Sequence, residues 1–75
     1  MKLSDLKYGQ KARIKNILES AYSLRIMELG IVVGNIIIFK SKAPLGDPIA
    51  YIIGDSTISM RKSESQQVEV ELITD

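Results

Sequence analysis

The chain has 75 residues, of which 45% are hydrophobic and 25% are charged, and its formal net charge is +1. This length allows one domain, residues 1–75, with a small core and no cleft between two domains. The near balance of ten basic and nine acidic residues excludes a net field that would draw the whole molecule to nucleic acid or to a membrane surface.

Histidine and cysteine are absent from the chain. Their absence removes the most common general base, the most reactive nucleophile and the two side chains that transition metals prefer. No pair of carboxylates is spaced for acid–base catalysis, and the glycines form no phosphate-binding motif. We therefore expect no enzymatic activity, no cofactor and no metal site.

The start of the chain has no apolar stretch of signal-peptide length, and the apolar runs at residues 36–39 and 49–53 are too short to span a bilayer. These observations predict a cytoplasmic protein that is not inserted in a membrane.

The first half of the chain predicts a buried lead-in, a strand and a helix. Leu3 and Leu6 are expected to tuck under the domain, and residues 10–18 alternate apolar and basic side chains as a half-buried strand does. A helix of about three turns follows, from a Ser20 cap to Gly30, with Leu24 and Met27 on its apolar stripe and Ile26 and Leu29 off it.

The second half predicts four strands joined by tight turns. The loop at 43–48 contains two prolines and Gly46, which end one strand and start the next. Gly54 and Asp55 form a second hairpin turn, and Ser63 with Gln66 fits a one-turn helix with a capping box. The expected strands are Ile36–Lys42, which is apolar on both faces and should lie centrally, Ile49–Ile53, Ser56–Met60 and residues 68–72.

These elements predict a mainly β fold. Five short strands are expected, with one helix between the first two and a short helical turn before the last. The sheet should curl into a small barrel, because a flat sheet of this size would have two exposed edges and would cover the core on one side only.

Three segments together resemble the ferrous iron transport protein A (FeoA) family of bacteria and archaea: LGIVVG at 29–34, APLGDP at 43–48 and MRKSES at 60–65. The resemblance covers essentially the whole chain. Val33, Met60 and Ser65 depart from the proline, leucine and alanine that are frequent in the family pattern. The resemblance implies an SH3-like small barrel and a cytoplasmic accessory role beside the ferrous iron transporter FeoB.

The over-specified loop and the apolar helix indicate where a partner would dock. Leu45, flanked by proline and glycine, is expected to point outward, and Leu24, Arg25 and Glu28 offer a second contact on the helix. The stripe of Leu24 and Met27 also fits ordinary core packing. These four docking residues are expected to contact FeoB or a second copy of the chain in a weak homo-oligomer.

Two further side chains are expected to act inside the fold. Asp47 should accept hydrogen bonds from amides of its own loop rather than hold an ion. Arg61 should either pair with an acid such as Glu64 or Glu28 or lie exposed, with a contact inside the fold favoured over contact with a partner.

The alternative function is a regulatory or nucleic-acid-binding small barrel unrelated to transport. Five basic residues precede residue 16, but the chain has only four tyrosine and phenylalanine residues, which is a poor stacking platform. We therefore expect no nucleic-acid partner.

Overall fold

A computed structural model describes residues 1–74. Its β-branched runs form five antiparallel strands in the order β4-β3-β2-β1-β5, with β2 at the centre as predicted. The strands are β1 Lys11–Ile17, β2 Ile36–Lys42, β3 Ile49–Ile53, β4 Ser56–Met60 and β5 Val68–Ile73. Two short helices, α1 Ser23–Glu28 and α2 Lys62–Ser65, and a 3₁₀ turn at Leu3–Asp5 complete the fold.

The expected mainly β, barrel-like fold is confirmed, although the sheet does not close. Its two outer strands, β4 and β5, pair with β3 and β1 only among the strands of residues 1–74. The domain measures 30 × 28 × 23 Å. A flat sheet is about 10 Å thick with its side chains, so the sheet and its short helices wrap around a common interior.

Alternation along the strands produces that interior. Ala12 and Ile14 of β1 are buried while its lysines face water, and Ile37 and Phe39 of β2 are buried in the same way. Leu3 and Leu6 of the lead-in are also buried, as expected. The remaining buried apolar residues are Ile26, Ile31, Ile49, Tyr51, Met60, Val68 and Val70.

The lead-in also covers part of an outer strand. The amide of Val70 donates a hydrogen bond to the carbonyl of Met1 over 2.8 Å, and Lys2 forms a bridge with Glu69. Residues 1 and 2 therefore lie along the outer margin of β5.

The prediction for α1 is wrong in length and in face. The Ser20 hydroxyl accepts a hydrogen bond from the Tyr22 amide at 3.1 Å instead of capping a helix, and α1 begins only at Ser23. Such serine turns compete with helical hydrogen bonds. Ile26 is the buried side chain of α1, whereas Leu24 and Met27 are 67% and 54% exposed. The helix is apolar on both sides, and the buried side is the one that continues into the core at Ile31.

The predicted capping box of α2 is also wrong. The Arg61 amide donates to Glu64 Oε1 over 2.9 Å, so the box begins two residues before Ser63. The reason is burial, because Glu64 and Ser65 point into the fold. Helix α2 thus turns its polar side chains inward.

None of the helices within residues 1–74 has the length and apolar character that a membrane span requires.

Candidate docking surface

The β2–β3 loop presents Leu45 on a short, closed stretch of backbone. The Ala43 amide donates to the Pro48 carbonyl over 2.9 Å, and the Gly46 amide donates to the Ala43 carbonyl over 2.7 Å. Gly46 has a φ of 90°, which other residues adopt at a cost. Leu45 is 98% exposed, as the sequence predicts. The loop therefore offers one apolar side chain to solvent from a constrained turn.

Helix α1 and the segment after it carry most of the exposed apolar surface. Nine large apolar side chains are exposed among residues 1–74, and six of them lie between positions 22 and 36. Isolated exposed apolar residues are normal, but a concentration of them indicates an interaction site. These six residues are Tyr22, Leu24, Met27, Val32, Val33 and Ile36.

Arg25 orients this surface. Its Nε donates to Glu64 Oε2 over 2.7 Å, and the two side chains are 59% and 3% exposed. A buried carboxylate is costly unless it is paired and hydrogen-bonded. Glu64 satisfies this condition with Arg25 and with the Arg61 amide. Arg25 therefore joins α1 to α2, in addition to any contact that it makes with a partner.

Asp47 joins the β2–β3 loop to α2. Its Oδ1 accepts from the Lys62 amide at 2.9 Å, at the first turn of α2. The expected acceptor role is thus observed, but the donor is in α2 rather than in the loop itself. Arg61 is exposed beside Asp47 and Pro48 around an open depression of about 320 Å³, and the Glu64 carboxylate pairs with Arg25 instead.

The four predicted docking residues therefore lie on two elements that share one anchor. Among the hydrogen bonds of residues 1–74, none joins the 43–48 loop directly to α1, but α2 contacts both. All four residues, Leu24, Arg25, Glu28 and Leu45, are exposed, and the Arg25 side chain is 59% exposed. Helix α2 therefore fixes the position of the Leu45 loop relative to Leu24 of α1.

Sequence reasoning missed the Arg25–Glu64 pair and the exposure of Val32 and Val33. The pair spans 39 positions, and Arg61 is a nearer candidate for Glu64. The apolar run at 31–33 was the sequence signal for this exposed apolar surface. Of its three residues, Ile31 is buried, and Val32 and Val33 are exposed.

Within residues 1–74, no three carboxylates lie close enough together to hold a metal ion. Burial raises the pKa of Tyr51 to about 12, an effect that a hydrogen bond with the Ser65 side chain partly offsets. The Tyr51 hydroxyl is therefore neutral at physiological pH. It lies in the core, where it donates a hydrogen bond to the Leu3 carbonyl at a distance of 3.5 Å.

Comparison with known proteins settles the family. The FeoA domain model matches residues 1–72. The chain belongs to the FeoA family. A curated relative from Porphyromonas gingivalis (strain ATCC BAA-308 / W83), described as an Fe(2+) transport protein A/Fe(2+) transporter FeoB fusion protein, is 39% identical over 99% of this chain. The chain spans 9% of the length of that relative.

Solved FeoA structures have the same fold. A FeoA-like protein from Clostridium acetobutylicum is 36% identical and superposes with a TM-score of 0.93, covering 100% of this chain and 88% of that one. Stenotrophomonas maltophilia FeoA, described as a prokaryotic SH3 domain protein and solved with zinc, is 29% identical with a TM-score of 0.82, covering 95% and 89%. The expected SH3-like fold is therefore confirmed.

Two of the three FeoA-like segments of the sequence meet at α2. LGIVVG ends α1 and leads to β2, APLGDP forms the Leu45 loop, and MRKSES forms the end of β4 and α2 itself. The Asp47–Lys62 contact connects the second and third segments, and Arg25 of α1, which precedes the first segment, pairs with Glu64 of the third. Of the departures from the family pattern, Val33 is exposed, whereas Met60 and Ser65 are buried. The Ser65 hydroxyl donates to backbone carbonyls of Arg61 and Lys62, so this departure is satisfied within α2.

Proposed function

We propose that the chain is a non-enzymatic, cytoplasmic accessory protein of ferrous iron uptake that docks on the cytoplasmic part of FeoB. The observation that carries this proposal is the 39% identical relative in which an FeoA segment and FeoB are described as one fusion protein. Fusion places two domains at high effective concentration, which is useful when the separate domains bind one another.

The docking surface that we propose consists of Leu45, Leu24, Arg25 and Glu28. Leu45 and Leu24 supply apolar anchors, and apolar side chains that fill a pocket of the partner contribute most to affinity. Glu28 and the exposed part of Arg25 supply a polar margin of both signs beside Leu24. Polar margins of this kind favour the correct partner and orientation more than they add affinity.

The absence of histidine and cysteine and the neutral, buried Tyr51 support a role without catalysis. The proposed docking set is four residues on a 75-residue domain, which fits a small and reversible contact with a larger protein. We propose that the same surface also mediates weak association between two copies of the chain.

The proposal is tested by calorimetric binding of this domain to the isolated cytoplasmic domain of FeoB and to full-length FeoB from the same organism, with and without guanine nucleotide. We expect a dissociation constant in the micromolar range or below. Replacing both anchors, Leu24→Asp with Leu45→Asp, should weaken binding by about a hundredfold, since two apolar anchors contribute roughly 1–2 kcal/mol each.

Thr57→Asp with Ser59→Asp is the matched control, because it adds the same two charges at exposed positions of β4. All variants are first compared by circular dichroism. Unchanged affinity in the double variant would remove the proposed surface. If the folded domain binds neither FeoB preparation, the accessory role itself is wrong, and a salt-sensitive shift of a nucleic acid would then favour the alternative function.

A further inference from the structure

A groove outside the proposed docking surface lies between the turn at residues 7–10 and the end of β2. It encloses about 390 Å³ and is lined by Leu6, Lys7, Tyr8, Phe39, Ser41 and Lys42. This volume is within the range of pockets that hold small ligands or a single anchoring side chain. No residue of this lining belongs to the docking set of Leu24, Arg25, Glu28 and Leu45.

The floor of the groove is apolar and rigid. Leu6 and Phe39 are each 3% exposed, and the Phe39 ring meets Tyr51 edge-on with ring centroids 5.8 Å apart. The side of the groove is Tyr8, which is 80% exposed. An exposed tyrosine over an apolar floor combines a large contact area with few rotatable bonds, which is the usual composition of a peptide-binding surface.

Backbone hydrogen bonds fix the two walls relative to each other. The Gly9 amide donates to the Phe39 carbonyl, and the Phe39 amide donates to the Gln10 carbonyl, each over 3.0 Å. The Lys7 amide donates to Gln10 Oε1 over 2.7 Å and closes the turn. A groove that is formed before binding loses less entropy when a ligand enters.

The charge of the groove has one sign. Lys7 and Lys42 are both exposed, and no carboxylate is among the lining residues. The register of β2 and β3 shifts between Phe39 and Ser41, and beyond this bulge Lys42 Nζ lies 6.0 Å from the centre of the Phe39 ring. A cation beside an apolar floor complements a ligand that places a carboxylate next to an apolar side chain.

We propose that this groove binds an acidic peptide segment, which inserts one aliphatic or aromatic side chain over Leu6 and Phe39 and places carboxylates at Lys7 and Lys42. A peptide fits better than single-stranded nucleic acid, because successive bases need several exposed aromatic faces and the groove offers only Tyr8. The proposal does not depend on docking to FeoB through Leu24 and Leu45.

The test is a titration of the ¹⁵N-labelled full chain with a defined peptide, acetyl-Gly-Glu-Glu-Leu-Phe-Glu-Glu-Gly-amide, followed by amide chemical shifts. We expect shifts concentrated at the groove residues and a dissociation constant between about 10 μM and 1 mM, the range of a single-anchor contact. Affinity should fall as salt is raised, since exposed charges are screened. Two control peptides carry Lys for Glu, or Ala-Ala for Leu-Phe, and both should bind at least about tenfold more weakly.

Two protein variants test the residues. Lys42→Glu and Tyr8→Ala change exposed side chains, so both should fold, and each should weaken binding about tenfold or more. Lys15→Glu is the matched control, because it makes the same charge change as Lys42→Glu at an exposed position of β1 outside the groove, and it should bind like the unchanged chain. The proposal is overturned by an absence of shifts at millimolar peptide, by equal binding of the Lys peptide, or by shifts that map to α1 instead. A stronger response to an oligothymidylate at the same residues would also overturn it and assign the groove to nucleic acid.

Discussion

The Leu45 loop and helix α1 present apolar side chains by opposite means. The loop is held by contacts within its own few residues, between Ala43, Gly46 and Pro48. Helix α1 is held by Ile26 in the core and by an ion pair with Glu64, 39 positions away. The shape of the loop therefore depends largely on hydrogen bonds within the loop and not on the Leu45 side chain. The position of α1, in contrast, depends on contacts with the rest of the fold. Substitutions in α1 and in the loop should therefore change the free energy of unfolding to different extents.

The largest effect is expected at the core contact of α1. Ile26 is fully buried, so Ile26→Ala should lower the free energy of unfolding by about 2–5 kcal/mol, through lost apolar burial and the cavity left behind. Urea denaturation followed by circular dichroism measures this loss. Because a small domain can unfold outright, Ile26→Val serves as the milder variant, at about 0.5–1.5 kcal/mol. A loss below this range in both variants would mean that Ile26 does not anchor α1.

The ion pair comes next. Arg25→Gln removes the charge that accompanies the buried carboxylate of Glu64, and we expect a loss of about 1–2 kcal/mol, reduced by the solvent exposure of Arg25. Lys15→Gln removes an exposed cation of β1 and should change stability by no more than about 0.5 kcal/mol. Amide hydrogen exchange of α1 should accelerate in the first variant only. Equal exchange in both variants would show that the pair does not position the helix.

A smaller loss is expected where the loop contacts α2. Asp47→Ala removes the acceptor for the Lys62 amide and should cost about 0.5–1.5 kcal/mol, as the loss of a helix cap does. Asp47→Asn keeps an acceptor oxygen and should recover most of this loss. If the Asn variant is no more stable than the Ala variant, the hydrogen bond to Lys62 contributes little.

The smallest effect is expected at the tip of the loop. Leu45 is almost fully exposed, so Leu45→Asp should change the free energy of unfolding by no more than about 0.5 kcal/mol, although it is expected to weaken docking. Denaturation and binding are measured on the same preparation. A clear loss of stability here would show that the Leu45 side chain itself helps to hold the loop.

The same contrast explains what the sequence could predict. The bounds of β2, β3 and β4 are predicted to the residue, because Gly or Pro lies near both ends of β2 and β3 and before β4, and a polar run follows β4. The outward position of Leu45 follows from the same local chemistry. Local rules fail at α1, where Leu24–Met27 and Ile26–Leu29 are equally apolar and only the surrounding core decides which pair is buried.

The candidate site divides in the same way. Exposure of Leu45 is encoded within six residues, but the partner of Glu64 is not, since Arg61, Arg25 and several lysines are all available to it in the sequence. Long-range pairs of this kind depend on how strands and turns bring distant segments together. The groove beside Tyr8 is another example, because its walls come from the lead-in and from the end of β2.

The lead-in that lies along β5 also limits how copies of the domain can assemble. Met1 and Lys2 occupy the outer margin of β5 at Val70 and Glu69, whereas β4 pairs only with β3 among the strands of residues 1–74. Growth of a continuous intermolecular sheet requires two free margins on every molecule. Because residues 1 and 2 occupy the outer margin of β5 at Glu69 and Val70, another molecule cannot add a strand there without displacing them, so the lead-in opposes growth of a continuous sheet.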